Sequence, residues 1–81
     1  MQTPKFKTSI GQALWEVHSP SYPDRLVPTA SLASILRLSK PTLATMRSRG
    51  GGPEFLRIRG RVFYDLATAI QWIEENMEVH Q

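Results

Sequence analysis

Two helical patterns in the middle of this chain stand too close together for anything but a sharp turn between them. Leu32, Ala33, Ile35 and Leu36 fall on one helical face, after a Thr29-Ala30-Ser31 stretch suited to a helix start. The stripe ends near Arg37, and only Leu38 and Ser39 precede the next helix. There Ser39 supplies a capping hydroxyl, and Pro41 is tolerated because first-turn amides have no helical partner. Leu43 and Met46 turn inward. Gly50 suits the C-terminal cap. Helices joined so tightly must cross at a steep angle.

This pair predicts a helix-turn-helix arrangement, and the segment after it changes period. Gly51-Gly52-Pro53 breaks the chain, and with no GK[ST] and no helix behind it, the glycine run reads as a connector and not a phosphate loop. Leu56 and Ile58 then alternate with Arg57 and Arg59, Gly60 marks a turn, and Val62 and Tyr64 alternate with Arg61 and Phe63. Period 2 predicts a two-stranded hairpin, its apolar face made of Leu56, Ile58, Val62 and Tyr64. Arg57, Arg59, Arg61 and Phe63 form the other face. Asp65 is the expected cap of a last helix striped by Leu66, Ala69, Ile70, Ile73 and Met77, with Trp72 beside the stripe. Glu74, Glu75 and Glu78 are expected to face solvent. An isolated hairpin is marginal in water, so these helices have to cover it.

Upstream, Ser9 is placed to cap a short helix with Ile10, Ala13, Leu14 and Val17 on one face. Ser19-Pro20-Ser21-Tyr22-Pro23-Asp24 then ends it in a loop. The fold class is therefore mostly α with a two-stranded β-hairpin. It divides into an arm over 1–27, a main domain over 28–78 and a tail over 79–81.

At 81 residues, 41% of them hydrophobic, the chain has material for one small core and none for a two-domain enzyme. No apolar run approaches the ~18 residues of a membrane span, so no membrane partner is expected. The absence of cysteine removes disulfides, thiol nucleophiles and cysteine-based zinc sites, and agrees with a reducing cytosol. His18 and His80 lack partners at metal-ligand spacing, so neither metal nor any other cofactor is expected. No nucleophile, base and orienting group assemble, which argues against an enzyme. The first residues carry no apolar stretch behind Lys5 and Lys7, which predicts a cytoplasmic protein.

The net charge of +3 is unevenly spread. Residues 37–64 hold Arg37, Lys40, Arg47, Arg49, Arg57, Arg59 and Arg61 against Glu54 alone, a local +6. Residues 65–81 hold Asp65, Glu74, Glu75 and Glu78 and no Lys or Arg, a local −4. Six of the seven central cations are arginine, whose planar fork suits phosphates and guanine edges. Trp15, Trp72, Tyr22 and the phenylalanines are expected in core or interface. Single-strand binding would call for several aromatics spread over one basic sheet.

The run from Leu32 to Leu43, the Gly50-Gly51-Gly52-Pro53 break, the Phe55-to-Tyr64 hairpin and Ala69-Ile70-Gln71-Trp72-Ile73 together resemble small winged helix-turn-helix proteins of the excisionase and AlpA type. These are similar to the DNA-binding part of MerR-type regulators. The resemblance covers about residues 28 to 76 and departs from the usual pattern at Arg37, where a small residue is common, and at Phe63, where a polar one is. It implies a second helix in the major groove of double-stranded DNA and a hairpin wing on the minor groove or backbone. It also implies a bacterial, nucleoid-associated setting in phages or mobile elements, with DNA bending, cooperative binding, and a role in directing an integrase or regulating transcription.

On that reading Lys40 and Thr45 are the first candidates for base contact, Ala44 for a thymine methyl, and Pro41 lies on the same outer side. Thr42 caps or meets phosphate, and Arg47 and Arg49 pair with phosphate. Arg59 and Arg61 flank the wing tip, with Arg57 behind them. A module this small reads a short site, so a second copy is expected, as a dimer or a row on repeated sites. Ile10, Leu14, Val17 and Phe63 are the candidate self-association residues. The rival reading is a protein-interaction module that uses Phe63 and the first helix to engage or inhibit a host or phage protein.

Overall fold

The computed structural model describes residues 3–76, so Met77, Glu78, His80 and the 79–81 tail lie outside it. Within those bounds the chain folds as four helices and a three-stranded antiparallel sheet, 36 × 32 × 17 Å overall. The helices are α1 (Ser9–His18), α2 (Thr29–Leu36), α3 (Lys40–Arg49) and α4 (Leu66–Asn76), and the strands are β1 (Leu26–Pro28), β2 (Phe55–Ile58) and β3 (Arg61–Asp65). A single 3-10 turn, Ser19–Ser21, follows α1.

The central pair forms as the spacing predicts. Ser39 Oγ accepts from the Thr42 amide at 3.1 Å, Pro41 sits in the first turn, and Gly50 ends α3 at φ 76°. Arg37 ends α2 with φ 58°, a left-handed conformation usually given to glycine, while the Leu38 amide reaches back to the Ala33 carbonyl at 2.8 Å. That explains how an arginine occupies the position before the turn. The start of α2 differs from the expected one: Pro28 is its N-cap, without a side-chain hydrogen bond. At the other end of the chain Asp65 Oδ1 caps α4 through the Thr68 amide at 3.0 Å.

The sheet corrects two expectations. It has three strands, because Leu26, Val27 and Pro28 pair with Asp65, Tyr64 and Phe63. Leu26 and Val27 of the segment read as an arm are thus part of the sheet, and Val27 is wholly buried. The expected hairpin face is also wrong. Phe55 pairs with Tyr64, Leu56 with Phe63, Arg57 with Val62 and Ile58 with Arg61. Paired residues share a face, so Phe55, Arg57, Val62 and Tyr64 point inward, while Leu56, Ile58, Arg61 and Phe63 point out. The turn holds two residues, Arg59 and Gly60, where a one-residue turn at Gly60 would have kept Ile58 and Val62 together.

The core gathers Val27, Leu32, Ala33, Ile35, Leu43, Tyr64, Leu66, Ala69 and Ile70. Phe6, Leu14, Trp15, Tyr22, Met46 and Phe55 pack against it from the sides, and Phe6 stacks on Trp15 at 5.8 Å. Each large apolar side chain so buried contributes about 1.5–3 kcal/mol.

α1 divides the residues of its stripe between two sides. Thr8, not Ser9, is its N-cap, and the helix turns Gly11, Leu14, Trp15 and His18 toward the body of the domain. Ile10 and Val17 are 58% and 69% exposed, with Ala13 beside them. Glu74, expected in solvent, is instead 8% exposed and holds α1 down. Its carboxylate accepts from the amides of Lys7 (3.1 Å) and Thr8 (2.7 Å) and from Thr8 Oγ1 (2.7 Å). Thr8 Oγ1 in turn accepts from the Gly11 amide at 2.9 Å. A capping box places a glutamate three residues after the N-cap to reach back to its amide. Here that position is Gly11, and the carboxylate arrives from α4.

Candidate nucleic-acid interface

α3 is exposed over most of its surface. Lys40, Pro41, Thr42, Ala44, Thr45, Ser48 and Arg49 all face solvent, while Leu43 is buried and Met46 half-buried. The reason is local: α3 carries few apolar residues and needs only Leu43 and Met46 to anchor it, leaving its polar sides uncovered. Thr42 Oγ1 lies 2.7 Å from Ser39 Oγ, so it belongs to the cap at the helix's N-terminal end. Thr29, Lys40, Pro41, Ala44, Arg47 and Val62 line a shallow groove that joins the start of α3 to β3.

Arg47 sits differently from its neighbours. It is half-buried, and its Nη1 donates to the hydroxyl of buried Tyr64 at 2.9 Å. Its guanidinium lies 5.8 Å from the centroid of Phe55, and Arg57 approaches the same ring at 5.9 Å. Phe55 and Tyr64 are themselves 6.4 Å apart. Arg47, over the Phe55 ring and on the Tyr64 hydroxyl, therefore ties α3 to the inner face of the β2–β3 hairpin. Sequence reasoning assigned Arg47 to phosphate and missed this link, because its partner lies 17 positions away and leaves no local signal. Tyr64→Phe is expected to lower stability by about 1 kcal/mol. The shift in urea midpoint at constant slope measures this, and an unchanged midpoint would mean that water replaces the lost acceptor.

At the hairpin tip both turn residues have positive φ, 51° for Arg59 and 79° for Gly60, as a type I′ turn requires. That conformation costs arginine about 1 kcal/mol and costs glycine almost nothing. The strain holds an exposed guanidinium at the far end of the hairpin. Arg61 leaves the other side of the tip and leans over Phe63, 5.6 Å from the ring centroid.

Ion pairs divide the cations of the chain into two sets. Lys7 lies 3.9 Å from Glu75, and Arg25 lies 3.1 Å from Asp65. Among the described residues Lys5, Arg37, Lys40, Arg47, Arg49, Arg57, Arg59 and Arg61 have no carboxylate within ion-pair distance. Six of these eight lie on α3 and the hairpin, while Lys5 precedes α1 and Arg37 caps α2. Of the other residues singled out from the sequence, Ile10 and Val17 are exposed, Leu14 packs on the protein's own core, and Phe63 is half-buried. Among the described residues, no cluster of His, Asp and Glu is arranged to hold a metal, and no helix is long and apolar enough to cross a membrane. The chain matches no protein-family model, no curated protein and no solved structure.

Proposed function

We propose that this protein is a winged helix-turn-helix that binds double-stranded DNA sequence-specifically, with α3 in the major groove and the β2–β3 hairpin as its wing. The observation that carries this is the concentration on α3 and the adjoining hairpin of six of the eight cations that are unpaired within the described chain. A protein stabilised by surface ion pairs would have matched them with carboxylates. Leaving them open suits an external polyanion. The exposed Lys40, Pro41, Ala44 and Thr45 stand at the N-terminal half of α3, where a recognition helix meets base edges. Arg49, Arg57, Arg59 and Arg61 then serve backbone and minor groove, and Thr42 lies near phosphate. Arg47 acts chiefly by fixing the wing against the helix.

The resemblance to excisionase and AlpA-type proteins gives this reading its biological form: a phage or mobile-element factor that directs an integrase or regulates transcription. The outward Ile10 and Val17 favour contact with a second copy on a neighbouring site.

Anisotropy of a labelled duplex titrated with the full chain over a salt series tests the proposal. Four to six phosphate contacts give a slope of log K against log salt of roughly −4 to −5. Absence of duplex binding at low salt would refute it and favour the protein-interaction reading.

A further inference from the structure

Resting on the DNA reading above, we propose that Ile58 is an apolar wedge: the wing carries it into the minor groove, where it opens a base step and bends the duplex. Among the described residues four large apolar side chains are markedly exposed, and two of them, Leu56 and Ile58, lie on the outer face of the hairpin. They differ in surroundings. Leu56, cross-strand partner to Phe63, is 49% exposed but lies two residues further from the turn. Ile58 has Arg61 as partner, Arg61 leans over the Phe63 ring, and Ile58 remains 46% exposed. It is the last paired residue before the turn, so nothing further along the hairpin can cover it.

Charge decides what occupies this face. From Phe55 to Tyr64 the hairpin carries no carboxylate, and its outer face and tip carry Arg61 and Arg59, so an apolar protein partner there would have to bury two like charges. The minor groove offers the opposite sign on both walls and an apolar base step at its floor. Proteins that kink DNA there combine these features, setting arginines or lysines beside an inserted Ile, Leu, Phe, Met or Pro. Arg59, held in left-handed backbone, and Arg61 bracket Ile58 in that manner.

The test uses the full chain and a duplex of about 30 base pairs enriched by it from a random pool, with a dye at each end and 2-aminopurine placed in turn along the site. The native chain is expected to raise end-to-end energy transfer and to brighten 2-aminopurine at one step. Ile58→Ala removes more than half of both signals while affinity falls less than about tenfold, and Ile58→Met, which keeps an insertable side chain, retains them. Leu56→Ala leaves both unchanged. Full signals from Ile58→Ala, or an equal loss from Leu56→Ala, would overturn the wedge while leaving DNA binding in place. No binding by the native chain would overturn both.

Discussion

Gly11→Ala is expected to destabilise this domain by about 2–4 kcal/mol, a large share of what so short a chain has to lose. A methyl group at Gly11 overlaps the Glu74 carboxylate. The carboxylate sits at the end of a flexible side chain and moves aside readily, but moving breaks its three hydrogen bonds to Lys7 and Thr8. The first turn of α1 then loses its anion, and α1 loosens from α4. Thermal or urea unfolding measures the cost, and a loss below about 0.5 kcal/mol would mean that the latch carries no weight.

The same carboxylate sets a pH dependence. Burial pushes the Glu74 carboxyl up, but the Thr8 hydroxyl, the Lys7 and Thr8 amides and the Lys7 charge outweigh it and hold the group below its ordinary 4.5. A carboxylate held down in the folded state adds stability that is fully present above pH 4.5 and drains away as pH falls through its folded value. Glu74→Gln therefore lowers stability at neutral pH and flattens the acid limb. An acid limb of unchanged steepness in Glu74→Gln would assign it to other groups.

Arg59→Asn is expected to act in opposite directions on stability and on binding. Asparagine is favoured at the first position of a type I′ turn, so relief of the left-handed arginine raises stability by about 0.5–1 kcal/mol. On the DNA-binding function proposed above, the same change removes a cation from the hairpin tip and weakens duplex binding by about threefold to tenfold at low salt, with a shallower salt slope. Paired measurements of urea midpoint and duplex affinity on one variant check both signs. Tighter binding together with greater stability would show that the strain at the tip serves no ligand.

Much of the fold could be read from local pattern, because local physics builds it. The caps at Ser39, Gly50 and Asp65 and the stripes of α2 and α4 are decided by residues three or four positions apart. The cluster of central cations is equally plain, since charge needs no folding to be counted. The hairpin strands were legible too, but their faces were not. Period 2 is symmetric between faces, and a turn of two residues instead of one exchanges them.

What the sequence determined by itself is the order of elements and the cationic character of α3 and the hairpin, both set by neighbours along the chain. Tertiary structure decided the rest through partners far apart. Strand β1, only three residues long, exists because β3 offers it an edge across the chain. Glu74 is buried because α1 presents unsatisfied amides 66 and 67 positions away. Arg47 turns from solvent toward Tyr64 because α3 and β3 lie side by side. Each of these is a polar group finding the one partner that offsets the cost of its burial, and a residue's neighbours in sequence do not reveal where that partner will be.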